Sequence, residues 1–135
     1  MRVFLDTNVL VSAFATRGLC ADLVRVIIAE HELVVGEAVL EELRKVLVEK
    51  FKVPLAHVTQ VEGLLRSYEV VPKPATMDEF VVRDESDRWI LANARAANVD
   101  VIITGDADLL TIAKKVDLRI ISPREFWTEL RDLSG

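Results

Sequence analysis

Arg2-Val3-Phe4-Leu5-Asp6-Thr7-Asn8 is a short apolar run that stops at an acid. Val3 to Leu5 has the length and the β-branched or aromatic character of a strand buried on both faces. The apolar pattern that follows, Val9, Leu10, Val11, Ala13 and Phe14, belongs to a helix. Asp6 therefore falls at the C-terminal end of a buried strand, where open α/β sheets place their ligands. More acids follow in comparable settings, so we read Asp6 as the hub of a carboxylate cluster that holds a divalent metal.

At 135 residues the chain makes one domain with one hydrophobic core. With 51% hydrophobic and 29% charged residues it is globular rather than disordered. No apolar run approaches the ~20 residues that span a bilayer, and an aspartate at position 6 does not fit a signal peptide. Cys20, the single cysteine, has no internal disulfide partner, which suits a reducing cytoplasm, and reads as a small hydrophobe. A net charge of −5 offers no basic footprint for extended duplex binding. Acidity does not exclude a nuclease, because a metal held by carboxylates inverts the local field.

From Asp6 a helix is predicted to about Ala15, and a second over roughly Ala21 to Glu30, with Leu23, Val24, Ile27 and Ile28 as its stripe. Leu33 to Val35 reads as a strand ended by Gly36. In the next helix, about Glu37 to Lys50, Val39, Leu40, Leu43, Val46 and Leu47 share a face. At about 100° per residue Glu42 borders that stripe while Glu41 points away from it. A further helix opens near Pro54 or at Thr59, with Glu62 at capping-box spacing and Leu64 and Leu65 on its buried side. Glu69 to Val71 is a third strand, and a Pro-containing loop runs to about Arg83. A helix beginning within 84–87 carries Asp87, Ile90, Leu91 and Ala94 on one face. Asp100 to Thr104 and Leu118 to Ile121 are strands. Ser122, Pro123 and Glu125 cap the last helix as N-cap, N1 and N3. His31 and His57 lack partners at ligand spacing and read as structural or solvated. This alternation implies a three-layer α/β/α fold with right-handed crossovers and a mostly parallel central sheet.

Asp6, Glu42, Asp87 and Asp106 each lie at a strand end or a core-edge helical position, with Asp84 and Asp108 close behind. Hard cations such as Mg²⁺ or Mn²⁺ take oxygen ligands, and converging carboxylates without a lysine or arginine between them need such a cation. Taken singly, Asp84, Asp87, Asp106 and Asp108 also read as helix N-caps, and Glu42 as a surface glutamate. Asn8 and Thr104, beside the two strand ends, could orient the ligands.

Leu5-Asp6-Thr7-Asn8-Val9-Leu10, Glu42-Leu43, Asp84-x-x-Asp87-x-x-Ile90-x-x-Asn93-Ala94 and Thr104-Gly105-Asp106-x-Asp108-Leu109 resemble the motifs of the PIN-domain family. The likeness extends over nearly the whole chain. It is strongest to the prokaryotic toxin components of toxin–antitoxin pairs, VapC-like in kind, which also share Ser122-Pro123-Arg124-Glu125-Phe126. The resemblance implies a metal-dependent endoribonuclease in which Asp6, Glu42, Asp87 and Asp106 match the acidic positions, and Asp108 matches less closely. It also implies a homodimer silenced by a small antitoxin protein, with Phe51, Trp89 and Trp127 as interface anchors or core residues. Arg88 departs from the pattern, because many relatives carry an aspartate there.

Two other readings compete. A haloacid-dehalogenase phosphatase also begins strand-Asp, but its chemistry wants an aspartate two residues later, where this chain has Asn8. The alternative within the family is a PIN-fold module that binds RNA or protein without turnover.

Overall fold

The computed structural model describes residues 1–73 and 85–134, with the backbone alone at Glu85, Ser86, Asp87, Leu133 and Ser134. Strands β1 (Arg2–Leu5), β2 (Glu32–Gly36), β3 (Glu69–Val71), β4 (Val101–Ile103) and β5 (Ile120–Ile121) form one parallel sheet in the order β3-β2-β1-β4-β5. Between and after them run α1 (Thr7–Ala15), α2 (Leu19–Glu30), α3 (Glu37–Glu49), α4 (Leu55–Arg66), α5 (Glu85–Ala96), α6 (Ala107–Ile112) and α7 (Pro123–Ser134).

Successive strand residues face opposite sides of a sheet. Val3, Phe4 and Leu5 are all buried, as are Val101, Ile102 and Ile103, so both faces are covered by helices. This is the parallel, doubly covered sheet that the continuous apolar runs imply.

The connections run outward from β1 to β2 and β3, then return across the sheet to β4 and β5. The direction of winding therefore reverses between β1 and β4. Their carboxyl ends form the crevice in which such sheets bind ligands. At the opposite end Arg2 ties the sheet together: its guanidinium pairs with Glu69, bonds Glu32 at 3.1 Å and donates to the Ala97 carbonyl at 2.8 Å.

Several boundaries differ from the sequence expectation. Helix α2 begins at Leu19, directly after Gly18, whose φ of +142° is a conformation that side chains disfavour. Helix α4 begins after Pro54, the first of its two expected starts, so Glu62 lies inside it rather than at a capping position, accepting from Arg44 at 2.7 Å and from Arg66 at 3.2 Å. Leu64 is 44% exposed, because it stands about 100° round the helix from buried Leu65. Strand β5 is shorter than predicted, although Arg119 still accepts from the Ile102 amide at 2.8 Å. His31 packs edge-on to Phe126 at 6.0 Å and His57 is exposed, in keeping with structural and solvated roles. Ser122 Oγ accepts from the Glu125 amide at 3.1 Å, as a capping residue should. The expected Pro-containing loop to about Arg83 falls, from residue 74 on, outside the described residues.

Buried Asn93 joins α5 to the residue after β3 and packs against the end of β2. Its amide donates to the Pro72 carbonyl at 2.9 Å, and its Oδ1 lies only 2.1 Å from where Gly36 would carry a Cβ. Gly36→Ala is therefore expected to destabilise the fold by about 1–3 kcal/mol through overpacking. Gly63, in the interior of α4, meets nothing within 4 Å. Gly63→Ala should stabilise by roughly 0.5–1 kcal/mol. Urea unfolding of both variants measures this pair, and equal shifts in one direction would contradict it.

Candidate active site

The sheet register builds the centre of the site. Leu5 pairs with Ile103, so the next residues on β1 and β4, Asp6 and Thr104, come side by side although 98 positions apart. Asp6 extends the pairing, its amide donating to the Ile103 carbonyl at 3.0 Å, and then caps α1. Its carboxylate accepts from the Thr7 amide (2.7 Å), Asn8 Nδ2 (2.9 Å) and Thr104 Oγ1 (2.6 Å). The donors come from both strand ends, and they fix the orientation of a carboxylate that is only 3% exposed.

Asn8 and Thr104 also shape the second turn. Asn8 Oδ1 accepts from the Gly105 amide at 2.9 Å, and Thr104 Oγ1 accepts from the Asp106 amide at 3.0 Å. Asp106 in turn caps α6 by accepting from the Asp108 amide at 2.8 Å. Capping engages one oxygen of Asp106, and the residue still lines the cleft above Asp6. The two readings of this aspartate are thus compatible.

Helix α3 packs against α1 and brings Glu42 to the same place. Glu42 Oε2 accepts from Thr7 Oγ1 at 3.3 Å, while Glu41 pairs with Lys73 at 3.1 Å on the surface. Asp6, Glu42 and Asp106 all line an open cleft of about 450 Å³ between α1 and α3. Val11, Val46 and Ile90 form its apolar walls, and Lys50 and Phe51 stand at its far end.

The electrostatics around Asp6 are one-sided. Burial raises the pKa of Asp6 above the usual 3.8, the Thr104 and Thr7 hydrogen bonds oppose this, and the charges of Glu42 and Asp106 raise it further. Among the described residues no lysine or arginine pairs with Asp6, Glu42 or Asp106. The donor set is entirely oxygen and carries unbalanced negative charge, which fits a hard divalent cation with water or phosphate completing its coordination. Among the described side chains no three acids, histidines or cysteines already stand close enough together to hold an ion.

Asp87 belongs to the first turn of α5, three residues before Ile90 in the cleft wall, but its side chain lies outside the described residues. Asp84 lies outside them altogether. Asp108 is exposed and absent from the cleft lining, and Arg88 is exposed. Thr7 is the residue that sequence reasoning passed over. It links Asp6, through its amide, to Glu42, through its hydroxyl, and only its place beside Asp6 could have signalled this.

The sequence matches the family model of the PIN domain over residues 2–108. This chain belongs to the PIN-domain family. No curated protein matches it in sequence. Solved structures share the fold, two VapC systems among them. VapBC2 from Rickettsia felis, bound to a DNA fragment from its promoter, superposes with a TM-score of 0.67 at 15% identity, covering 90% of this chain and 98% of its own. VapC20 from Mycobacterium tuberculosis, a toxin that cleaves the sarcin-ricin loop, gives 0.58 at 15% identity, covering 81% and 93%. The PIN domain described here therefore has the fold of VapC toxins. None of its helices is long and apolar enough to cross a membrane among the described residues.

The raised pKa of Asp6 has a measurable consequence. A carboxyl that holds its proton more tightly when folded contributes most stability below its ordinary value of 3.8, and that contribution is lost as pH rises through the raised folded value. In EDTA, the melting temperature of Asp6→Asn minus that of the wild-type PIN domain should therefore rise between about pH 4 and pH 7. A difference that stays constant or falls over that range would contradict the assignment.

Proposed function

We propose that this PIN domain is a Mg²⁺- or Mn²⁺-dependent endoribonuclease that hydrolyses RNA phosphodiester bonds. The observation that carries this reading is Asp6: a buried carboxylate without a cationic partner among the described residues, flanked by Glu42 and Asp106, in an open cleft. Asp6, Glu42 and Asp106 would hold the metal, together with Asp87 from the first turn of α5. A divalent ion bound there supplies Lewis-acid polarisation of a phosphoryl oxygen and a bound water of lowered pKa.

The chain's own groups prepare that chemistry. Asn8 and Thr104 hold Asp6 in one orientation, so its free lone pairs point consistently. Thr7 positions Glu42, whose second oxygen remains available to a ligand or to a water proton. Asp106 is fixed by its capping bond and faces the same cleft.

The VapC fold supports a biological setting as the toxin of a toxin–antitoxin pair, acting in the cytoplasm. A cognate antitoxin protein would be its partner and a homodimer its working state. RNA as the substrate is consistent with the cleavage of the sarcin-ricin loop by the M. tuberculosis toxin.

Single-stranded RNA of mixed sequence, incubated with Mn²⁺, tests the activity. Glu42→Gln should lower the cleavage rate by roughly 100-fold, the scale of losing one group that stabilises transition-state charge. Asp87→Asn and EDTA should abolish cleavage, and Glu41→Gln should leave it within about twofold, since Glu41 pairs with Lys73 instead. Cleavage that survives in EDTA would overturn the proposal. Metal binding without cleavage of this RNA or of a complete cellular RNA pool would favour a docking module.

A further inference from the structure

The cleft has a second end that the acids do not account for. Along α3, Glu42, Val46 and Lys50 follow at intervals of four residues, and all line the same groove. At 1.5 Å of rise per residue, Lys50 stands about 12 Å along the helix from Glu42. Phe51 follows, just beyond the helix end, and is 43% exposed, whereas every other phenylalanine described is buried or packed against the core. The Lys50 ammonium lies 5.9 Å from the centre of the Phe51 ring. Among the described residues no carboxylate pairs with Lys50.

An exposed aromatic ring has a hydration cost that burial in the core would remove. Here the ring remains at the surface, in the lining of the acidic cleft and beside a cation that no described carboxylate pairs with. A flat apolar face with an ammonium next to it matches one nucleotide: the base stacks on the ring and the phosphate meets the cation. The location suits such a ligand as well. The metal proposed at the three acids would hold the scissile phosphate at the near end of the groove, and Lys50 supplies attraction at the far end.

We infer that Lys50 and Phe51 form a nucleotide-binding subsite for single-stranded RNA, holding a base that flanks the scissile phosphate. The inference rests on the ribonuclease reading of the cleft and adds a substrate preference to it. Stacking requires an unpaired base, so the subsite selects single strands over duplex. It tolerates any base, because every base has a π-face.

The test is the binding of a fluorescein-labelled 12-nucleotide single-stranded RNA of mixed sequence, followed by anisotropy. Ca²⁺ replaces Mn²⁺, and a gel verifies that the strand stays intact. Phe51→Ala should weaken binding roughly tenfold, the loss expected from one stacked base. Phe51→Trp should restore it, and Lys50→Ala should lower the salt dependence by about one phosphate contact. The same RNA annealed to its complement should bind weakly and respond little to Phe51→Ala. Because Phe51 is exposed, both variants should melt within a few degrees of wild type.

Single-strand binding by Phe51→Ala within twofold of wild type would overturn the inference while leaving the ribonuclease reading in place. A dimer that dissociates on Phe51→Ala, with RNA affinity unchanged, would assign the ring to a protein interface and overturn it equally. Absence of RNA binding by the wild-type protein would overturn it too. The cleavage assay of the preceding section then reports separately on the ribonuclease reading.

Discussion

The structure depends on keeping an ionisable carboxylate buried at the end of its central strand. Burying a charge costs several kcal/mol unless hydrogen bonds and an opposite charge offset it. Asp6 receives the hydrogen bonds, from the Thr7 amide, Asn8 and Thr104, and among the described residues no cationic side chain accompanies them. Glu42 and Asp106 add to the negative potential. Such an arrangement is unfavourable for the fold alone. The proposed metal would supply the missing positive charge.

The sheet makes this arrangement possible. A parallel register places Asp6 beside Thr104, and the return of the chain to the far side of β1 opens a crevice above them. Helices α1 and α6 start directly from the two strand ends, so Asp6 and Asp106 are both capping residues and cleft residues. Helix α3 adds Glu42 from the side. Three separate segments thus contribute acids, and none can move far without breaking a strand pairing or a cap. The groove then continues along α3 to Lys50 and Phe51, so one helix links the acid centre to the aromatic end.

Much of this was legible in the sequence because strands buried on both faces leave continuous apolar runs. Val3 to Leu5 and Val101 to Ile103 could be read directly, and with them the strand-end positions of Asp6 and Thr104. Helical period separated Glu42 from Glu41, since that distinction is purely local. What escaped is what non-local packing decides. The Asp6–Thr104 hydrogen bond depends on a register that no local pattern encodes. Thr7 looked like an ordinary first helical residue, and its hydroxyl gains meaning only once α3 docks. Leu64 was placed on the wrong face because it borders the buried stripe, and of the two starts open for α4 packing selects Pro54, which leaves the capping-box spacing inside the helix. The exposure of Phe51 was equally hidden, because sequence alone does not separate a core ring from one left at a groove.

Isothermal titration of the metal-free protein with Mn²⁺ addresses the central claim most directly. If unbalanced charge at Asp6 defines a cation site, the wild type binds Mn²⁺ saturably and Asp6→Asn, equally folded by circular dichroism, does not. Saturable binding of undiminished strength in Asp6→Asn, or none in the wild type up to millimolar Mn²⁺, would contradict the account.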